Sequence, residues 1–121
     1  MKTEINKIVN ELKAYPKVMA IILFGSYARK KIKPLSDIDI AVIVKNPDNS
    51  LEAEISSFSS NIFDATIFFR LPLYIQFEAL KYGKPLFVRD EKYFLEIKKE
   101  ILRNYLEMSY LYKRMSERVL A

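Results

Sequence analysis

Two aspartates one residue apart, Asp37 and Asp39, close a stretch, GSYARKKIKPLSDID over 25–39, that opens with a glycine-serine pair, Gly25-Ser26. The aspartates stand in DIDIAVIV, where alternation puts Ile38, Ile40, Val42 and Val44 on one face of a strand and both carboxylates on the other. Their Cα atoms are then roughly 6.5–7 Å apart. Carboxylates that close repel each other unless a cation sits between them, and hard oxygen donors suit Mg²⁺. Gly25 follows an apolar run and precedes a serine able to cap a helix. Without a side chain it lets a phosphate approach the backbone, while the N–H groups of a following helix and the Ser26 hydroxyl donate hydrogen bonds to it. A third carboxylate, Asp64, opens the apolar run FDATIFF and completes a ligand set if its strand lies beside the first. The chemistry outlined is that of a metal-bound nucleotide.

Taken singly, each feature also fits a plain structural role. Gly25-Ser26 reads as a capped strand-to-helix turn, the aspartate pair as strand residues facing water, and Asp64 as a strand-start aspartate. Against the second of these, Asp is depleted in strands, and like charges on one face cost stability.

Composition narrows the chemistry. With no histidine and no cysteine, the chain cannot build imidazole or thiolate zinc sites, Ser-His-Asp triads or histidine bases. Catalysis would use carboxylates, hydroxyls and bound metal. A length of 121 residues sets one domain, a catalytic core over 1–90 followed by a helix over 91–121. No apolar run approaches the roughly 18 residues of a membrane span and no signal peptide is recognisable, so a cytoplasmic protein is expected. The net charge of +5 favours an anionic partner but equally describes a solvated basic surface.

The elements that must position these residues follow from periodicity. Residues 3–15 carry Ile5, Ile8, Val9, Leu12 and Tyr15 at helical spacing, with Thr3 as N-cap and Pro16 beyond the end. VMAIILF at 18–24 reads as a central strand covered on both faces, delivering the chain to Gly25. A short helix near Arg29–Lys31 and a loop around Pro34 lead to the aspartate strand at 37–44, and KNPDNS marks a turn. A helix over 51–60 precedes a third strand over 62–69. Pro72 opens a helix ending at Lys81 or Tyr82, with Gly83 in the C′ position, and PLFVRD at 85–90 adds an edge strand. From Glu91 on, Phe94, Ile97, Ile101, Tyr105, Met108, Tyr112, Met115 and Val119 recur at three- and four-residue steps, predicting one long helix. The fold class is α/β (α+β), a sheet with helices packed on it.

The GS pair, ten intervening residues, Asp-x-Asp and a later strand aspartate together resemble the DNA polymerase β-like nucleotidyltransferase superfamily, and within it the minimal nucleotidyltransferases. The resemblance covers most of residues 1–90 and is sharpest over GSYARKKIKPLSDIDIAVIV, where Ala28, Arg29 and Ser36 also match. Lys30 departs from the glycine that many relatives carry there, and the Asp64 strand diverges more. The resemblance implies a nucleotidyltransferase fold with a mixed β-sheet flanked by helices. It implies that Gly25 and Ser26 hold the triphosphate of ATP, that Asp37, Asp39 and Asp64 bind two Mg²⁺ ions, and that Arg29 assists the leaving pyrophosphate. Lys30, Lys31 and Lys33 fit that last role or a solvated basic loop.

The minimal nucleotidyltransferases resemble one half of a toxin–antitoxin pair whose other half is a HEPN-domain ribonuclease, which the transferase silences by moving AMP from ATP to a tyrosine. The expected partner is therefore a HEPN toxin, with a homodimer or hetero-oligomer as the assembly and no membrane or nucleic acid. Its contact surface would be the C-terminal helix, whose stripe of Tyr, Leu, Ile and Met needs a cover. The alternatives are an antitoxin that neutralises by binding alone and nucleotidyl transfer to a small molecule.

Overall fold

A computed structural model describes residues 2–25, 38–60 and 63–120. The expectations for Ser26, Arg29, Asp37, the neighbouring lysines and the short helix near Arg29 fall outside them. Among the described residues the order is α1 (Lys2–Leu12), β1 (Val18–Phe24), β2 (Ile38–Val44), α2 (Asn49–Ser56), β3 (Phe63–Ile67), a 3₁₀ turn (Phe68–Arg70), α3 (Leu73–Tyr82), β4 (Lys84–Val88) and α4 (Glu91–Leu120). The strands form one sheet in the order β3-β2-β1-β4. β1 is antiparallel to both β2 and β4, whereas β2 and β3 are parallel, so the sheet is mixed as the resemblance implies. A parallel pair needs a crossover between its strands, and α2 supplies it.

Both faces of the central strands are buried, which explains their near-continuous apolar sequences. On one face Ile21, Leu23, Ile38, Ile40, Val42 and Val44 pack with Ile5, Ile8 and Leu12 of α1 and with Leu51 and Ile55 of α2. On the other, Ala20, Ile22, Ala41 and Ile43 pack beneath Phe68 and beneath Phe94, Ile97 and Ile101 of α4, with Phe77 and Leu80 of α3 against the same cluster. The face of β2 that carries Asp39 is thus a second core, not a wetted surface. The third strand stops at Ile67 because the backbone tightens into a 3₁₀ turn that drives Phe68 into this core and turns Phe69 outward.

Short-range contacts fix the connections. Asp48 caps α2, its carboxylate accepting the Leu51 N–H at 2.7 Å, and that bond, with Lys17 nearby, holds the carboxyl below its usual range. Arg70 forks onto Glu52 at 2.8 and 3.0 Å, tying the 3₁₀ turn to α2 and lowering the Glu52 pKa. Arg89, just before α4, donates from Nε to the Val18 carbonyl at 2.8 Å and from its terminal nitrogen to the carbonyls of Lys13 and Tyr15. The Lys13 and Tyr15 carbonyls lie between α1 and β1 and the Val18 carbonyl opens β1, so one guanidinium ties this connection to the start of α4.

Gly83 differs from expectation in its reason. It follows α3, but its φ of −74° is open to any residue. A Cβ there would lie against the Ala79 carbonyl, 2.8 Å from the Ile22 side chain and 2.8 Å from the Leu23 carbonyl. The glycine lets α3 turn directly over β1. Gly83→Ala is therefore expected to destabilise the fold by about 1–3 kcal/mol, measured by urea unfolding.

The carboxyls of Asp48 and Glu52 are lowered in the folded state, so their contribution is present above the unfolded pKa and lost as pH falls through the folded one. Thermal stability should fall on acidification below about pH 4.5, and Glu52→Gln should flatten that part of the profile.

Candidate active site

The antiparallel pairing of β1 with β2 sets the end of one strand beside the start of the other, and the parallel β3 starts at the same margin. Phe24 is the register partner of Asp39, and Asp39 is the register partner of Asp64. Register partners on paired strands point to one face, so the two carboxylates are neighbours, with Cα atoms roughly 5 Å apart. Asp39 is half-buried and Asp64 exposed, an edge arrangement that a small charged ligand can reach.

Gly25 sits immediately beyond Phe24 with φ +80°, a left-handed conformation that L side chains rarely adopt. A Cβ built there would fall onto the Asp39 carboxylate, 3.3 Å from its Cγ. The absent side chain therefore does two things. It permits the left-handed backbone, and it leaves room for the half-buried Asp39 carboxylate to lie against that backbone.

Asp64 is held by the backbone on either side of it. β3 is an edge strand, and the residues before it bond to its outer side. The Phe63 N–H donates to Ser60 Oγ at 3.2 Å, and the Ser60 N–H donates to the Phe63 carbonyl at 2.8 Å. Ser59 Oγ accepts from the Ala65 N–H at 3.0 Å and donates to its carbonyl at 3.3 Å. Thr66, on the same face as Asp64, directs its hydroxyl to the carboxylate at 3.4 Å. Sequence reasoning missed these three hydroxyls. Thr66 is the same-face i+2 neighbour and was open to that reading, whereas Ser59 and Ser60 are identifiable only once β3 is known to be an edge.

Of the residues expected to carry chemistry, the structure brings Gly25, Asp39 and Asp64 to one margin of the sheet. Ser26, Arg29 and Asp37 lie outside the described residues. The described residues hold no cluster of three or more metal-ligating side chains. Two adjacent carboxylates at the margin of the sheet fit a hard divalent cation such as Mg²⁺, to which Asp39 and Asp64 would contribute oxygens. A hollow of about 390 Å³ lined by Tyr15, Lys17, Asp48 and Glu54 lies beyond the opposite margin of the sheet, where Val18 meets Val44, and plays no part in this constellation.

A mixed sheet with helices on both faces, a left-handed glycine directly after β1 and carboxylates paired on β2 and β3 define a nucleotidyltransferase type of architecture. The family model described as "Polymerase beta, Nucleotidyltransferase" matches residues 6–92, and the chain belongs to that family. Two Methanocaldococcus jannaschii proteins named as protein adenylyltransferases are similar to it. One is 41% identical over 71 residues, 59% of this chain and 57% of the relative, and the other is 38% identical over 68 residues, 55% and 79%. The match thus spans little more than half the length of the first.

Among solved structures, a chain of a toxin–antitoxin complex with AMP-PNP superposes with a TM-score of 0.71 at 22% identity, covering 98% of both chains. A chain from the complex of tri-AMPylated Shewanella oneidensis HEPN toxin with MNT antitoxin gives 0.69 at 23% identity, covering 99% of this chain and 98% of that one. A Sulfolobus solfataricus nucleotidyltransferase gives 0.53 at 21% identity over 74% of this chain and 81% of its own. At these identities the likeness is one of fold, and it includes the long C-terminal helix in the first two.

Gly25→Ala is expected to lower stability by about 1–2 kcal/mol through the left-handed backbone alone. It should also weaken Mn²⁺ binding, followed by the water-proton relaxation of the bound ion, because its methyl would displace the Asp39 carboxylate.

Proposed function

We propose that this protein is an Mg²⁺-dependent adenylyltransferase that moves AMP from ATP to a tyrosine hydroxyl of a HEPN-domain ribonuclease, and so acts as the antitoxin of that toxin. The observation that carries the reading is the pairing of Asp39 with Asp64 on one face, with the Asp39 carboxylate lying against the Gly25 backbone where only glycine leaves it room. Membership of the polymerase β nucleotidyltransferase family supports the reaction class. The named activity of the archaeal relatives supports AMP transfer to protein, and the AMPylated HEPN toxin in a neighbouring complex supports the acceptor.

Asp39, Asp64 and Asp37 would hold the divalent ions, which would neutralise triphosphate charge and favour ionisation of the attacking hydroxyl. Gly25 and the Ser26 hydroxyl bind the triphosphate by giving it backbone access and a donor. Arg29 holds the departing pyrophosphate by charge-assisted hydrogen bonds. The bond formed joins the tyrosine oxygen to the α-phosphorus, and the bond broken is that to pyrophosphate. Asp64 takes the phenolic proton in this reading, which its exposure on the edge strand supports. No histidine is needed for any of these roles.

The test is intact mass of the HEPN protein encoded beside this gene after incubation with this chain, ATP and Mg²⁺. The expected result is a gain of one or more AMP units, reduced by at least about a thousandfold in rate for Asp39→Asn and for an Asp37→Asn, Asp39→Asn double variant. Lost ribonuclease activity without any mass gain would assign neutralisation to binding alone.

A further inference from the structure

The backbone around Asp64 is clasped on both sides of it. Ser60 exchanges hydrogen bonds with Phe63, and Ser59 Oγ bonds both the N–H and the carbonyl of Ala65. With the main chain held, the direction of the carboxylate depends on its side-chain torsions alone. Among the described residues its hydrogen-bond donor is the Thr66 hydroxyl, which meets Oδ1 at 3.4 Å. The residues of this face lie in rows. Asp39 and Asp64 form the row at the margin, Ala41 and its register partner Thr66 form the next, and Ile43 and Phe68 of the core lie beyond. Ala41 is fully buried and Thr66 half-buried, so Thr66 stands where charge gives way to core. A hydroxyl drawn out of water needs a partner, and Asp64 supplies it.

We propose that Thr66 is a positioning residue for the transfer of AMP: its hydroxyl holds Asp64 Oδ1 and so leaves Oδ2 as the oxygen that serves the cation shared with Asp39. The assignment rests on the reaction proposed above for the same site. Three properties suit threonine to the task. Branching at Cβ leaves few χ1 states, so the strand backbone itself aims the hydroxyl. A neutral donor orients the carboxylate without adding positive charge, whereas a lysine or arginine in its place would repel a bound cation. The contact is also longer than the roughly 2.7–2.8 Å usual for an O–H···O bond, so the carboxylate is aimed with slack to take up as substrate binds. The hydroxyls around β3 thus divide the work. Ser59 and Ser60 bond the backbone on either side of Asp64, and Thr66 bonds the side chain.

Thr66→Val removes the hydroxyl but keeps the branched shape, and Thr66→Ser keeps the hydroxyl but drops the methyl. Mn²⁺ binding to the full chain, read from water-proton relaxation, should weaken about tenfold in Thr66→Val and return to within about twofold of the unaltered chain in Thr66→Ser. With ATP, saturating Mg²⁺ and the HEPN protein, kcat for AMP transfer should fall about ten- to a hundredfold in Thr66→Val, with KM for the HEPN protein unchanged and serine again restoring the rate. The melting temperature of Thr66→Val should be unchanged or raised, because valine suits a half-buried strand position, and this separates positioning from a loss of structure. Unchanged Mn²⁺ binding and kcat in Thr66→Val would overturn the assignment. So would an equal loss in Thr66→Ser, which would trace the effect to the methyl. If the unaltered chain binds Mn²⁺ but transfers no AMP, the proposed reaction fails while the Mn²⁺ comparison still decides the role of Thr66. No Mn²⁺ binding by the unaltered chain would overturn both.

Discussion

A sheet whose two central strands are covered on both faces leaves no interior place for an ionised carboxylate, because burial without compensation costs several kcal/mol per ion. In β1 and β2 the apolar residues from Ala20 to Leu23 and from Ile40 to Val44 are essentially removed from water. Charged chemistry is thereby confined to the sheet margins, where the covering helices end. Topology then decides which margin. The antiparallel β1–β2 pair sets the end of one strand against the start of the other, and the parallel β3 begins beside them. Positions 25, 39 and 64, distant in sequence, meet because three strand termini meet.

Much of this was readable from the amino acids. The apolar run 18–24, the helical periods at both ends of the chain and the turn residues at 45–50 all had physical signatures strong enough to place elements within a few residues. What escaped was the partner of each face. Alternation in DIDIAVIV drew attention to the isoleucines and valines, yet Ala41 and Ile43 on the carboxylate side already broke the polar pattern and announced a second core. Phe68 and Phe69 read as strand residues because aromatic content favours strands, but the space beneath α4 claimed Phe68 and curled the backbone.

The level pairing of Asp39 with Asp64 belongs to a different category. No local property of FDATIFF specifies its register; that is set by the length of the α2 crossover, its cap at Asp48, and the serines that grip the outer edge of β3. Glycine was the reverse case. At Gly25 the missing side chain suggested backbone access for a phosphate, and the geometry added a left-handed φ and the carboxylate that a methyl would strike. At Gly83 the residue type suggested a helix terminator, and packing against β1 was the actual cause.

The grip of Arg89 on the carbonyls of Lys13, Tyr15 and Val18 spans more than half the chain, with sequence separations of 71 to 76 between its partners. β1 likewise lies between β2 and β4, and β4 spans Lys84–Val88. During synthesis the first three strands and α1 emerge while one side of β1 has no neighbour and the connection from α1 to β1 has no cation against it. Closure of the amino-terminal half therefore waits for residue 89 to leave the ribosome, and loop-closure entropy over that span makes this long-range step a slow one.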